Sequence, residues 1–351
     1  MEKGKEQAMA PLDKTVLHIE NLGLRFHTPK GIIPAVENFS ISLQRGKIHA
    51  LVGESGSGKS VTVKSVLRLN PQGNTEYTTG SIFYYPAPTH QGTSQEPINL
   101  LTVNESVLQS VRGRKISMIF QEPGRYLNPV MRVRQLLAET MITHLRITKR
   151  EALEKARHLL DLVELPDTER VLASYPHELS GGMKQRVMIA IALSCSPDII
   201  LADEPTTALD VTVQAKILNL LKKISRDFNI AVLLITHDLA VVHESADYVS
   251  VMYAGRLMES AEVSPLFKSP QHPYTKVLLG AVPDVSRRGQ PLLSIPGNIP
   301  DSTDRPEGCL FHPRCPMAIE ACRMAVPKFE SLYQDSHGVA CLRARELNNH
   351  A

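Results

Sequence analysis

Short apolar runs alternate along the chain with stretches whose apolar residues recur at helical spacing. KIHALVG (47–53), DIILAD (198–203) and NIAVLLI (229–235) are typical of strands buried in a parallel sheet. VTVKSVLRL (61–69) and VTVQAKILNLLKKISRDF (211–228) have the spacing of helices. Because strand and helix alternate, the pattern predicts an α/β domain.

The pattern also predicts where this domain ends. Residues 16–60 predict short strands that lead into a glycine-rich turn, and residues 135–165 are mostly helical in character. After about residue 260 proline and glycine become frequent and the α/β alternation stops. We therefore predict two units, residues 15–260 and residues 261–351, with the boundary placed to within about 10 residues.

Composition and charge narrow the classes of protein. The 351 residues are 42% hydrophobic and 21% charged, which indicates a packed core. The formal charge of +3 does not call for nucleic acid as a partner. The start of the chain has no apolar run typical of a secretory signal, and no apolar stretch approaches the roughly 18 residues needed to span a bilayer. We expect a cytosolic chain that reaches a membrane only through a partner.

GESGSGKS (53–60) fits the phosphate-loop pattern G-x-x-x-x-G-K-[ST]. Its glycines let successive backbone N–H groups turn toward a phosphate, while a lysine supplies positive charge and a hydroxyl can bind Mg²⁺. A strand before the loop and a helix after it strengthen the prediction of a nucleoside triphosphate site. The predicted binding residues are Gly53, Ser55, Gly56, Ser57, Gly58, Lys59 and Ser60.

DIILADEP (198–205) supplies acids at the end of a buried strand. Asp203 is placed to hold Mg²⁺ through water, and Glu204 can orient an attacking water as general base. An ordinary strand end with solvated acids is the alternative, and the phosphate loop in the same chain disfavours it.

LSGGMKQR (179–186) resembles the signature sequence of the ABC ATPase family. Its Ser180, Gly181 and Gly182 precede a predicted helix, where backbone N–H groups can bind an anion. The same serine can also act simply as a helix N-cap. In that family two nucleotide-binding domains meet head to tail, and the signature of one closes over ATP held by the other.

The resemblance assigns further roles in the family's order. Gln121 resembles the glutamine that touches Mg²⁺ and the attacking water, and His237 resembles the histidine that contacts the γ-phosphate. Asp210, in TALD (207–210), resembles the acid of the loop that communicates across the dimer. Phe26 resembles the aromatic residue that stacks on adenine, although a core phenylalanine is the alternative. The resemblance thus implies an ATPase fold with a helical subdomain at about residues 121–185.

The implied chemistry is ATP hydrolysis with Mg²⁺. The catalytic residues would be Lys59, Gln121, Glu204 and His237, and the Mg²⁺ ligands Ser60, Gln121 and Asp203. Catalysis of this kind is mostly positioning and charge neutralisation.

A finer resemblance, to the ATPases of bacterial oligopeptide and dipeptide importers, covers nearly the whole chain. It rests on LNPVMRV (127–133), QHPYTKVLL (271–279) and the GCLFHPRCP segment (308–316). It implies a second, related ATPase, two transmembrane permeases and an extracytoplasmic binding protein, at the cytoplasmic face of the bacterial inner membrane. A soluble ABC ATPase acting on DNA or ribosomes is the alternative, as is import of nickel complexes, heme, glutathione or sugars.

Four of the five cysteines lie near the C-terminus with the spacing Cys309-x₅-Cys315-x₆-Cys322-x₁₈-Cys341. The C-x-x-C spacing of common zinc ribbons is absent. Four thiolates can still complete one site for zinc or an iron–sulfur cluster, and metal-free structural thiols are a third possibility. The resemblance to peptide-importer ATPases implies a [4Fe–4S] cluster in this small, irregular extension.

Overall fold

A computed structural model describes residues 14–88, 95–207, 209–281, 297–331, 337–344 and 346. Parts of the predicted C-terminal unit, and residue 208 within TALD, lie outside these ranges. The strands of the described residues are β1 (Thr15–Thr28), β2 (Gly31–Gln44), β3 (Ile48–Val52), β4 (Thr75–Tyr84), β5 (Ile98–Asn99), β6 (Ile116–Ile119), β7 (Ile199–Asp203), β8 (Ala231–Thr236), β9 (Tyr248–Tyr253), β10 (Arg256–Glu262), β11 (Glu330–Ser331) and β12 (Gly338–Val339).

The helices of the same residues are α1 (Lys59–Val66), α2 (Glu105–Val111), α3 (Pro123–Tyr126), α4 (Val133–Leu145), α5 (Lys149–Leu162), α6 (Thr168–Ala173), α7 (Gly181–Leu193), α8 (Val211–Asp227), α9 (Leu239–Ser245), α10 (Val263–Lys268), α11 (Pro273–Gly280) and α12 (Glu320–Met324). Short 3₁₀ turns lie at Pro176–Glu178 and His312–Arg314.

The larger sheet has the strand order β11-β12-β10-β9-β3-β8-β7-β6 in the described ranges. The strands from β9 to β6 run parallel to one another, whereas β10, β12 and β11 extend the sheet beyond β9 in antiparallel pairs. Strands β3, β7 and β8 are buried at every residue. Such strands belong to a parallel sheet covered on both faces, so the predicted α/β class is confirmed.

The prediction of short strands before the phosphate loop was wrong. Strands β1 and β2 are each 14 residues long and pair with each other, and β1 also pairs with β4 in a second, antiparallel sheet. The pairing of β1 with β2 shifts register between Ile19 and Leu22, where Asn21 has a left-handed φ of 46°. Because a bulge breaks the alternation of inward and outward side chains, one long strand has the sequence pattern of shorter pieces.

The region predicted to be helical contains α4 and α5. The first helix ends at Arg146, whose φ of 54° is left-handed, and the second begins with a capping box between Thr148 and Glu151. Apolar side chains of α4, α5 and α7 form one core cluster with a face of the central sheet. The predicted helical subdomain, 121–185, spans α3 to α6 and the start of α7, and its status as a separate subdomain stays a prediction.

The C-terminal segment packs into the edge of the large sheet. Cys309 and Phe311 belong to the same buried cluster as Val52, at the end of β3, and Tyr253, at the end of β9. The predicted boundary near residue 260 falls inside β10, which pairs with β9 on one side and β12 on the other. The two predicted units therefore share a core along this edge, close to the phosphate loop.

Candidate nucleotide-binding site

The candidate chemistry lies where four neighbouring parallel strands end. The phosphate loop follows β3, Gln121 follows β6, Asp203 ends β7 and His237 follows β8. The carboxyl ends of parallel strands meet at one edge of a sheet, which is where α/β proteins bind their ligands. Residues separated by up to 184 positions in the sequence (53 to 237) are thus brought to one edge.

The backbone of the phosphate loop requires glycine at two points. Gly58 has a φ of 101°, and a Cβ there would lie 2.7 Å from the carbonyl oxygen of Ala35. A Cβ on Gly53 would lie 2.2 Å from the carbonyl oxygen of Met252. Helix α1 then begins at Lys59, so its first N–H groups have no partner within the helix and face the loop as an anion site.

Lys59 is buried and held inside this loop. Its Nζ donates hydrogen bonds to the carbonyl oxygens of Gly53 at 2.8 Å and Glu54 at 2.9 Å. Burial lowers the pKa of Lys59, and the nearby carboxylates of Glu204, Asp203 and Glu54 oppose that shift. The ammonium group can exchange these carbonyls for phosphate oxygens when a nucleotide binds.

Ser60 and Asp203 form the pair expected to hold Mg²⁺. The Ser60 hydroxyl donates to Oδ1 of Asp203 at 2.8 Å. Burial raises the pKa of Asp203, and the hydrogen bond from Ser60 works against that rise. Across the described ranges no three His, Cys, Asp or Glu side chains are placed to hold one ion. Mg²⁺ in phosphate sites does not need such a set, because waters and phosphate oxygens supply most of its ligands.

Glu204 is the centre of a hydrogen-bonded group. Its Oε2 accepts from Nε2 of Gln121 at 2.9 Å and from the hydroxyl of Thr207 at 2.9 Å, and its Oε1 lies 3.5 Å from Nδ1 of His237. The φ of Glu204 is 47°, in the left-handed region, and its N–H donates to the carbonyl of Ile235. Strained backbone of this kind is concentrated at functional sites. The sequence reasoning missed Thr207, although its position three residues after Glu204 was a usable signal.

The signature residues form a separate patch beside α8. Ser180 caps α7 by accepting a hydrogen bond from the N–H of Met183, and Asp210 caps α8 by accepting from Val213. A Cβ on Gly182 would lie 2.7 Å from Cγ1 of Val213, so the start of α7 packs closely against α8. The hydrogen-bonded group around Glu204 does not include these residues, and their predicted contact with a nucleotide stays a prediction.

Phe26 lies on β1, opposite Ile33 of β2 and Thr75 of β4. Its side chain is partly buried against the core cluster of the antiparallel sheet. The ring is therefore partly accessible at a sheet surface, which is compatible with base stacking and with the alternative of a core phenylalanine.

The four C-terminal cysteines line one cavity of about 20 Å³, together with Phe311. Burial raises the pKa of Cys309, Cys315 and Cys341, and the neighbouring thiols raise it further. Backbone N–H groups of Phe311, Met317 and Arg343 donate to these three sulfurs respectively and favour the thiolate. Because no three metal-ligating side chains in the described part of the chain are placed around one ion, the predicted metal site stays a prediction.

The site combines a glycine-rich loop between β3 and α1 with two acids, Asp203 and Glu204, at the end of β7, which is separated from β3 by β8. This combination defines a P-loop nucleotide-hydrolysing protein. Comparison with known proteins narrows this class. An ABC transporter family model matches residues 36–207, and the model for the oligopeptide/dipeptide transporter C-terminal region matches residues 258–322.

Relatives match over almost the whole chain. The dipeptide transport ATP-binding protein DppD of Bacillus subtilis is 43% identical over 336 residues, which are 96% of this chain and 97% of that protein. The oligopeptide transport ATP-binding protein OppD of Escherichia coli is 44% identical over 326 residues, covering 92% and 93%. The solved dimeric structure of the ATP-binding cassette MJ0796 with ADP and phosphate matches with a TM-score of 0.60 at 27% identity, over 70% of this chain and 98% of that chain.

The chain therefore belongs to the ATP-binding subunits of ABC transporters, in the family that carries the oligopeptide/dipeptide transporter C-terminal region, and it is an ATPase. Among the described helices, none has both the length and the apolar character needed to cross a membrane.

Proposed function

We propose that this chain hydrolyses ATP to power a bacterial importer of di- and oligopeptides. The observation that carries the proposal is the presence, in one chain, of a region that matches the ABC transporter family and of the oligopeptide/dipeptide transporter C-terminal region. DppD and OppD, which are named for dipeptide and oligopeptide transport, match this chain over both parts.

The residues of the site can perform hydrolysis by positioning and charge neutralisation. Glu204 would orient the attacking water and accept its proton, because hydrogen bonds from Gln121 and Thr207 fix its carboxylate. Lys59 and the first N–H groups of α1 would bind the β- and γ-phosphates. Ser60 and Asp203 would hold Mg²⁺, which neutralises phosphate charge when bound.

The signature patch supports a partner ATPase. Ser180, Gly181 and Gly182 begin α7 with N–H groups available for an anion, and Asp210 lies next to them through Val213. In a head-to-tail pair each signature would complete the site of the other subunit. We propose a second, related ATPase as this partner and expect the isolated chain to hydrolyse ATP slowly or not at all.

An apolar groove supports contact with a permease. The groove, of about 270 Å³, is lined mainly by apolar side chains of β6, α3 and α7 and of the segment that follows α1. Phe120 and Tyr126 stack at 3.9 Å between centroids, and Tyr126 is 53% exposed. Phe120 immediately precedes Gln121 in the chain. A permease segment that binds in this groove would therefore contact the residue next to the catalytic Gln121. We propose two permeases above an ATPase pair at the cytoplasmic face of the inner membrane, supplied by an extracytoplasmic binding protein.

Other functions are less well supported. A soluble ABC ATPase that acts on DNA or ribosomes would not need the C-terminal region that matches here. Nickel complexes, heme, glutathione and sugars remain alternative cargoes, because the permeases and the binding protein select the cargo.

Reconstitution tests the transport function. We expect the chain, with its partner ATPase and permeases in vesicles, to hydrolyse ATP faster when a peptide-loaded binding protein is added and to accumulate labelled dipeptide. Nickel complexes, heme, glutathione and sugars serve as competing cargoes in the same assay. Uptake of one of these without peptide uptake would overturn the assigned cargo, and hydrolysis stimulated by DNA or ribosomes alone would overturn the importer assignment.

We also propose that the four cysteines bind a [4Fe–4S] cluster. Two observations support this proposal. The four thiols line one cavity, and backbone N–H groups donate hydrogen bonds to three of their sulfur atoms. Four thiolates around one zinc ion, bound at about 2.3 Å each, would lie within about 4 Å of one another. Across the described ranges no three metal-ligating side chains are close enough to hold one ion, so metal analysis decides between a cluster, zinc and metal-free thiols.

Metal analysis tests the cysteine site. We expect the anaerobically purified full chain to contain iron and acid-labile sulfide with broad visible absorbance. Cys341→Ser should lose both and unfold at a lower temperature, because a bound metal contributes folding energy to a small core. Cys195→Ser is the matched control, since Cys195 is buried outside the cluster. Zinc without iron would support the zinc alternative, and neither metal would support structural thiols.

A further inference from the structure

The phosphate loop is tied to the cysteine-rich segment by an arginine between two of its cysteines. Arg314 lies in the 3₁₀ turn that joins Cys309 to Cys315, and its side chain is only 6% exposed. Its Nη1 donates to Oε1 of Glu54 at 3.0 Å and its Nη2 donates to Oε2 at 3.1 Å. This two-point pairing fixes both the position and the orientation of the carboxylate.

Every polar group of Glu54 is engaged. Its N–H donates to the hydroxyl of Tyr274 at 3.2 Å, and its carbonyl accepts from Nζ of Lys59 and from the N–H of Ser57. Arg314 therefore holds the side chain of the residue whose main chain holds Lys59. A change at Arg314 reaches the phosphate-binding lysine through a single intervening residue.

The Arg314 side chain is itself held in place by contacts with aromatic residues. Arg314 also donates to the hydroxyl of Tyr253 at 3.2 Å. The rings of Tyr253, Tyr274 and Phe311 pack against one another with centroids 4.8 to 5.3 Å apart. Phe311 belongs to the extension, Tyr274 to α11 and Tyr253 to β9, so the guanidinium group is fixed to the sheet edge as well as to the extension.

The charge of Glu54 explains why an anchor is needed. The phosphate-loop pattern leaves its second position open, so phosphate binding does not require a carboxylate there. An unpaired carboxylate beside a triphosphate would repel it, and at low dielectric that repulsion is strong. Arg314 neutralises this charge and draws the carboxylate away toward the extension.

We propose that Arg314 is a positioning residue for the phosphate loop, which neutralises and anchors Glu54 so that the folded cysteine-rich segment sets the affinity for ATP. The inference rests on the proposed nucleotide site. It gives the extension a role in nucleotide binding in addition to any metal that it holds.

A double-mutant cycle tests the proposal by titrating the full-length chain with a fluorescent ATP analogue. Arg314→Ala should weaken binding on the order of tenfold or more, because it leaves the Glu54 charge uncompensated. Arg314→Lys keeps the charge but loses the two-point geometry, so its affinity should be intermediate. Glu54→Gln in the Arg314→Ala background should recover most of the lost affinity, because the repelling charge is gone. Arg323→Ala, an exposed arginine on α12, should bind as the wild type does.

The cycle distinguishes positioning from general support of the fold. If Arg314 only stabilised the extension, Glu54→Gln would not restore binding in the double variant, and that result would overturn the proposal. Wild-type affinity in Arg314→Ala would overturn it as well. Thermal unfolding shows whether Arg314→Ala folds. If it does not fold, the test uses folded Arg314→Lys, and wild-type affinity in that variant would overturn the proposal. Lys59→Ala in the same titration checks the site itself: retained binding there would instead overturn the assignment of the phosphate loop.

Discussion

Glu204→Gln is expected to abolish ATP turnover while ATP binding is retained. Glutamine has the shape of glutamate and can still accept hydrogen bonds from Gln121 and Thr207, so the site should keep its geometry. It cannot accept a proton from water, and loss of a general base typically costs about 10²–10⁴-fold in rate. Phosphate release by the ATPase pair assembled with its permeases measures the turnover.

The matched control for this substitution is Glu154→Gln. Glu154 is an exposed acid on α5 whose ion pair with Arg150 lies at the surface, so its replacement should leave turnover unchanged. Normal hydrolysis by Glu204→Gln in the assembled complex would show that another group is the base. His237, 3.5 Å from the Glu204 carboxylate, would then be the first residue to replace.

Local motifs explain why the nucleotide site could be predicted from the sequence. The phosphate loop is a continuous segment whose glycines are fixed by its own backbone, as Gly58 shows with its φ of 101°. Asp203 and Glu204 end a buried strand whose apolar run is unmistakable. In contrast, no local pattern predicts the left-handed backbone of Glu204 or the hydrogen bond that its N–H donates to Ile235 of the adjacent strand.

Contacts between distant segments could not be predicted in this way. Arg314 and Glu54 are 260 positions apart, and the phosphate-loop pattern places no requirement on the second position. The cysteine-rich stretch was predicted to belong to a second unit, residues 261–351, whereas its Arg314 is paired with Glu54 of the phosphate loop. The ending of the α/β alternation near residue 260 also hid the continuity of the sheet, because β12, which pairs with β10 and extends the sheet, is only two residues long and leaves no sequence pattern.

Lys59→Ala is expected to lower ATP affinity by about 100-fold or more. At an effective dielectric constant of about 20, an ammonium group about 4 Å from one phosphate charge contributes on the order of 4 kcal/mol. Part of this is offset because the ammonium group gives up its hydrogen bonds to the carbonyl oxygens of Gly53 and Glu54 when it binds phosphate. Titration of the full-length chain with the fluorescent ATP analogue measures the loss.

Two features of the site make this loss specific to nucleotide binding. Alanine keeps the helical start of α1, and the carbonyl of Glu54 keeps its hydrogen bond from the N–H of Ser57. In contrast, the buried carbonyl of Gly53 loses the hydrogen bond that Lys59 now donates. We therefore expect the thermal midpoint without nucleotide to fall modestly, because a buried carbonyl loses its donor, whereas the increase in that midpoint on adding ATP and Mg²⁺ should disappear, since only a bound ligand produces that increase. Lys223→Ala removes an exposed lysine from α8 and should keep the full ATP-dependent increase. If Lys59→Ala also kept the ATP-dependent increase in the thermal midpoint, ATP would be bound elsewhere. The proposed effect of the Arg314–Glu54 pair on nucleotide affinity would then have no basis.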